Sequence, residues 1–236
     1  MELKIYNSKA KVAESFSEYL KALIQSNAVT HIALSGGSTP KIVFEYISDN
    51  FKNDIDWSTV HFYWGDERCV APSHEESNYK MTVDYLLSNI SIPAGNIHRV
   101  KGEDIPENEA VRYSAVLDKE LPKLNDIPQF DLVMLGMGDD GHTASIFPHE
   151  IQLWNADTNC EVAIHPDSEQ RRITITGKLI NNAKEVAFLV TGAGKSEKMR
   201  EIIKTDATAP KYPASLVVPT SGKLLWFLDA DAAAEL

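Results

Sequence analysis

Leu132-Val133-Met134-Leu135-Gly136-Met137-Gly138-Asp139-Asp140-Gly141-His142-Thr143-Ala144-Ser145-Ile146-Phe147-Pro148 is the stretch on which the reading of this chain turns. The unbroken apolar run from Leu132 to Leu135 is the pattern of a strand buried on both faces. It stops at Gly136, Gly138 and Gly141, where a backbone can turn tightly or pass close to a ligand. Two carboxylates and an imidazole follow: Asp139, Asp140 and His142. Ionisable groups at the carboxyl end of a buried strand stand where open α/β sheets place their ligands.

The same glycines fit the spacing G-x-G-x-x-G of a dinucleotide-binding turn. That turn must open a helix whose N-terminus receives a pyrophosphate. Asp139 and Asp140 would set two negative charges against that anion, and Pro148 arrives too soon for a long helix. A dinucleotide cofactor is therefore not expected.

Outward from this stretch, β-rich apolar segments alternate with amphipathic ones. Strands are expected at 2–6, 29–34, 59–64, 97–100, 130–135, 160–165, 171–176, 185–191 and 223–228. Helices are expected at 8–25, 40–49, 77–88, 107–124 and 194–204, with a short one at the C-terminus. In the first helix Val12, Phe16, Tyr19, Leu20 and Leu23 recur at helical spacing and form a core stripe. The alternation predicts an α/β fold: a largely parallel open sheet flanked by helices on both faces, with a small β-rich excursion near 150–176. No linker or repeat divides the chain, so 1–236 reads as a single domain.

Composition sets limits on function. The 236 residues are 43% hydrophobic and 24% charged, ordinary values for a globular protein. No apolar run approaches the roughly 18 residues of a membrane span, and Met1–Tyr6 reads as an alternating strand, not a signal peptide. The net charge of −11, with no basic stripe, argues against nucleic acid. The two cysteines, Cys69 and Cys160, form no metal-ligand pattern, and no His/Cys set suggests zinc, so no metal is expected. Cys69 reads as a small, partly buried residue despite following Arg68. The simplest compartment is the cytosol. The sequence carries no signal on assembly.

Three further groups carry chemistry. Leu34-Ser35-Gly36-Gly37-Ser38-Thr39-Pro40 follows a strand and precedes a helix, with Thr39 as expected N-cap and Pro40 at the first helical position. Its glycine pair and helix N-terminus suit a phosphate, although the ending of a P-loop is absent. Phe62-Tyr63-Trp64-Gly65-Asp66-Glu67-Arg68 again ends a strand in glycine and charges. Arg68 suits a phosphate or carboxylate, while Asp66 and Glu67 would position it or handle protons. Arg171-Arg172 precedes the strand Ile173–Thr176, and Lys195 lies in Thr191-Gly192-Ala193-Gly194-Lys195 at a helix start. Together these cations can supply the positive pocket that the net charge lacks. His31 and His61 read as core residues within strands. His74, His98, His149 and His165 have no informative spacing.

At these residues the chain resembles the 6-phosphogluconolactonase family, part of the wider sugar-phosphate isomerase and deaminase group that includes glucosamine-6-phosphate deaminase. The resemblance runs through Ser35–Ser38, Asp66–Pro72, Glu76–Tyr79, Asp131–Pro148, Arg172–Thr174, Thr191–Lys195, Pro213–Leu216 and Trp226–Asp229. Deaminases typically have Asp-Glu-Tyr where this chain has Asp66-Glu67-Arg68, and a different tail after the histidine. Arg68 and Ile146-Phe147-Pro148 thus favour the lactonase branch. The resemblance implies hydrolysis of 6-phospho-D-glucono-1,5-lactone to 6-phosphogluconate in the oxidative pentose phosphate pathway, with no cofactor. It implies His142 as general base toward water, with Asp140 orienting His142. Arg68 would stabilise the carbonyl oxygen or hold the phosphate, and Asp66 would line the substrate site. Gly36, Gly37, Ser38, Arg172 and Lys195 would bind the phosphate. Two rival readings are an amino-sugar-phosphate isomerase or deaminase, and a non-catalytic sugar-phosphate sensor. A sensor would be expected to carry a DNA-binding segment, which this chain lacks.

Overall fold

The computed structural model describes residues 1–204 and 212–236. In chain order the first half runs β1 (Glu2–Tyr6), α1 (Lys9–Gln25), β2 (Thr30–Leu34), α2 (Ser38–Asn50), β3 (Val60–Trp64), β4 (Asp66–Arg68), α3 (Asn78–Tyr85), β5 (Ile97–His98), α4 (Pro106–Glu120), β6 (Lys123–Leu124) and β7 (Ile127–Pro128). It continues with β8 (Leu132–Leu135), β9 (Cys160–Ile164), β10 (Arg171–Ile175), α5 (Gly177–Asn182), β11 (Glu185–Val190), α6 (Ser196–Ile203) and β12 (Leu224–Asp229).

Seven strands form one sheet in the order β1-β12-β11-β8-β2-β3-β5, and every pairing in it is parallel. Helices flank this sheet, as the alternation of segments predicts. All four residues of β8 are buried, which explains why that strand is a continuous apolar run rather than an alternating one. The helix α1 starts at Ser8, whose hydroxyl accepts from the Lys11 N–H at 3.2 Å. It buries Val12, Phe16, Leu20 and Ile24 in an i, i+4 stripe. The expected excursion is a small antiparallel sheet, β4-β10-β9, with Arg172 opposite Arg68 and Thr174 opposite Asp66.

Several expectations give way to tertiary constraints. The second helix begins at Ser38, not Pro40, because Gly37 at φ 107° takes the N-cap position that Thr39 was expected to fill. The Thr39 hydroxyl is instead 2.8 Å from that of Thr191. The segment after β12 forms turns where a short helix was expected. There the Asp229 carboxylate accepts from the N–H groups of Ala232 and Gly192, fixing a turn against the loop after β11. Strand β4 and the six-residue α5 were not foreseen.

His31, His61 and His98 meet across β2, β3 and β5. His31 pairs with His61, and Tyr63 with His98, in register. His61 Nδ1 lies 3.1 Å from His98 Nε2, and the Tyr63 and His98 rings stack at 4.4 Å. Burial, reinforced by the neighbouring His61, pushes His98 down to about 4, against the attraction of Glu120. Unfolded, His98 takes its proton near the ordinary 6.5; folded, only near 4. Between these values the unfolded chain binds more protons, so stability is complete above about pH 6.5 and falls as the pH drops toward 4. Urea midpoints measured across this window should decline in the wild type and decline less steeply in His98→Phe.

Candidate active site

The parallel sheet sends the carboxyl ends of β3, β2, β8 and β11 to one edge. From β2 the chain crosses through α2 to β3 on one side, and from β8 it returns as β11 on the other. The adjacent β2 and β8 therefore flank the point where the connections diverge, the usual position of a crevice in an open α/β sheet.

The loop after β8 does not open a helix. The Gly138 N–H donates to the carbonyl of His142 at 2.9 Å, and Gly141, at φ 80°, returns its N–H to the carbonyl of Gly138. The turn is closed by Asp140. Its Oδ1 accepts from the backbone N–H of His142 at 3.0 Å and from ring Nδ1 at 2.6 Å. A Cβ at position 138 would overlap the His142 ring, so glycine is required for the loop to close this tightly. Burial alone would raise the Asp140 carboxyl, but the ring and backbone hydrogen bonds of His142 outweigh it and hold Asp140 near about 2. With Nδ1–H committed to a carboxylate, Nε2 of neutral His142 carries the free lone pair.

His142 lines an open cleft of about 480 Å³ with Asp139, Asp140, Phe147, His149 and His165. The Phe147 ring is 4.6 Å from that of His142 and 5.2 Å from that of His165. The Arg172 guanidinium lies 5.6 Å from the same aromatic ring. Lys195 reaches the cleft through an ion pair with Asp139 at 2.5 Å. The Nε atoms of Arg68 and Arg172 are both buried without a partner among the described residues, and these arginines sit opposite each other on β4 and β10. Burial pushes the Arg172 guanidinium below its ordinary value; Asp66 counters this and Arg68 adds to it. Two adjacent cations with unspent buried donors are an arrangement that an anion completes.

The acidic neighbours are otherwise engaged. Asp66 is buried and its Oδ2 accepts from the Ser145 hydroxyl at 2.7 Å. This carboxylate was expected at the substrate; in the fold it ties β4 to the loop that carries His142. Glu67, expected to position Arg68 or handle protons, accepts from the N–H groups of Arg68, Asn78 and Tyr79 and from the Ser77 hydroxyl, at 2.7–3.0 Å. It therefore anchors the N-terminus of α3. Burial pushes the Cys69 thiol up to about 11, which leaves it unreactive.

The Gly36–Gly37–Ser38 turn lies at the end of β2, next to β8. A Cβ at Gly36 would overlap the Asn78 side chain, and that side chain donates to the Asp66 carbonyl at 3.0 Å. The Ser38 hydroxyl accepts from Lys9 Nζ at 2.9 Å. The structure thus gathers His142, Asp140, Arg172 and Lys195 around one cleft, with Arg68 beside Arg172. Sequence reasoning missed Phe147, His149 and His165 as lining groups. Phe147 had a signal, since an aromatic follows the histidine loop directly; His165 had none. Among the described residues, no group of three or more His, Cys, Asp or Glu is placed to hold a metal ion, and no helix is long and apolar enough to cross a membrane.

Fold and cleft together are those of an α/β protein with a candidate site at the carboxyl edge of a parallel sheet. The family model described as glucosamine-6-phosphate isomerases/6-phosphogluconolactonase matches residues 7–226, and the chain belongs to that family. It is 43% identical over 224 residues to the 6-phosphogluconolactonase of Aggregatibacter actinomycetemcomitans, covering 94% of this chain and 93% of that protein. Among solved structures, the devB protein superposes with a TM-score of 0.95 at 43% identity, covering 100% of this chain and 99% of that one. The 6-phosphogluconolactonase from Trypanosoma brucei superposes at 0.89 with 26% identity, covering 100% and 98%.

Glu67→Ala strips the acceptor from the start of α3 and leaves its donors to weak alternatives. Urea unfolding should show a loss of roughly 2–4 kcal/mol. An unchanged midpoint would show that this carboxylate does not anchor the helix.

Proposed function

We propose that this protein hydrolyses 6-phospho-D-glucono-1,5-lactone to 6-phosphogluconate, the lactone-opening step of the oxidative pentose phosphate pathway, as one catalytic domain spanning the chain. The observation that carries the reading is the Asp140–His142 pair, held by a glycine turn near two half-buried arginines with unpartnered Nε donors. Membership of the family supports it, as does the name of the Aggregatibacter relative.

In this reading His142 Nε2 takes a proton from water as its oxygen attacks the lactone carbonyl. Asp140 holds the ring in the productive tautomer and stabilises the imidazolium that forms, as the carboxylate does in other acid–imidazole pairs. An ester carbonyl needs only an activated water, so the scheme runs on groups of this chain without a metal. The tetrahedral intermediate collapses with cleavage of the C1–ring oxygen bond, and the proton on His142 returns to the departing hydroxyl. Arg68, Arg172 and Lys195 take the phosphate, with the backbone of Gly36 and Gly37 and the hydroxyl of Ser38 completing its cradle. Both arginines are assigned to the phosphate because they face each other across β4 and β10 and each has an unspent Nε donor. Lys195 exchanges its contact with Asp139 for the substrate dianion. Binding energy gained at the phosphate, remote from C1, orients the lactone against the base.

Hydrolysis of freshly generated lactone, corrected for its spontaneous rate, should lose at least about a hundredfold in kcat in His142→Ala, with a far-ultraviolet spectrum like that of the wild type. Arg172→Ala and Lys195→Ala should chiefly raise KM. Near-normal turnover by the histidine variant would remove the general base from the scheme, and unchanged KM in both cation variants would place the phosphate elsewhere.

A further inference from the structure

The cleft holds a second histidine whose proton is fixed the other way round. His165 opens the turn between β9 and β10. Its backbone is fastened on both sides: its N–H donates to the Gln170 carbonyl at 3.0 Å, and its carbonyl accepts from the Glu169 N–H at 3.0 Å. Its ring Nδ1 accepts from the N–H groups of Asp167 at 3.2 Å and Ser168 at 3.3 Å. A nitrogen that faces two backbone donors carries no proton, so the neutral ring has its hydrogen on Nε2. Across Phe147, His142 has the opposite arrangement, with Nδ1–H on Asp140 and a lone pair on Nε2. One aromatic ring thus separates an imidazole set up to accept from one set up to donate.

The surroundings disfavour a charged His165. The groups that face it are Arg172 from β10, Asp167 from its own turn, and His142 and Asp140 from the loop after β8. Burial and the Arg172 charge push its proton affinity down; Asp167 and Asp140 offset this only in part. A ring held this way is a weaker partner for a phosphate dianion than the arginines are. A neutral N–H fixed on a hairpin suits an uncharged oxygen that gains negative charge during reaction, where a preoriented donor contributes most. Both histidine rings pack against Phe147, and both line the same cleft.

Resting on the lactonase reading above, we propose that His165 is a substrate-contacting donor: its Nε2–H hydrogen-bonds the lactone carbonyl oxygen and stabilises the oxyanion as His142-activated water attacks. No proton leaves His165 in the step. The negative charge formed at the carbonyl oxygen is held by the hydrogen bond until C1–ring oxygen cleavage restores the carbonyl.

Three variants and one spectrum test this. His165→Phe keeps an aromatic ring against Phe147 and loses the donor; His165→Ala loses both; His165→Gln restores an N–H. In lactone hydrolysis, His165→Phe and His165→Ala should each lower kcat roughly 10- to 100-fold with little change in KM, and His165→Gln should recover much of the loss. In ¹⁵N-histidine-labelled wild type at neutral pH, the His165 ring should show the Nε2–H neutral tautomer. Wild-type kcat in His165→Phe, or an Nδ1–H or doubly protonated His165 ring, overturns the proposal while leaving His142 in place. A wild type that fails to accelerate lactone hydrolysis overturns the functional reading and this proposal together.

Discussion

Parallel pairing is the constraint on which the rest of this structure depends. When all seven strands run the same way, every carboxyl end emerges at one edge, and residues far apart in sequence meet there. Ser38, Arg68, His142 and Lys195 follow strands β2, β3 with β4, β8 and β11, spread over most of the chain. The divergence of connections between β2 and β8 leaves no crossover above that point, so a crevice opens beside the loop bearing Asp140 and His142. The short antiparallel sheet then carries Arg172 and His165 across the edge, and the bond from Ser145 to Asp66 fastens its strand β4 to the histidine loop.

Electrostatics sharpens the arrangement. A chain with net charge −11 repels anions at a distance, yet this edge concentrates Arg68, Arg172 and Lys195. Their acidic neighbours are spent on other tasks: Asp66 on a hydroxyl, Glu67 on a helix start, Asp140 on an imidazole, Asp139 on Lys195. The cations at this edge are left available by this division of labour rather than by an excess of base. His142 and His165 follow the same logic. A carboxylate fixes one tautomer and backbone amides fix the other, so identical side chains acquire opposite capacities.

Much of this was legible in the sequence, and what was not has identifiable causes. The four-residue apolar run of β8 and the i, i+4 stripe of α1 report burial directly, so those elements were plain. The glycine–aspartate–histidine loop stood out as a candidate site because the three residue types are adjacent. Asp66-Glu67-Arg68 read as the charged end of the preceding strand because nothing local marks it as a strand of its own; it becomes β4 only by pairing with Arg172–Thr174, more than a hundred residues later. The alanine-rich end of the chain favours a helix by propensity, but Asp229 spends its carboxylate across to Gly192 and turns form instead. Thr39 looked like a cap until Gly37, with its positive φ, ended the preceding turn earlier. His165 was silent because its partners are backbone amides of a hairpin, which leave no mark in residue spacing.

The central claim is that one cleft holds a phosphate at its arginines while presenting a carbonyl carbon to His142. A crystal structure with the product 6-phosphogluconate bound tests this most directly. The account predicts the phosphate against Arg68, Arg172 and Lys195, with the C1 carboxylate within hydrogen-bond distance of His142 Nε2. A phosphate seated away from those cations, or a C1 carboxylate remote from His142, would contradict it.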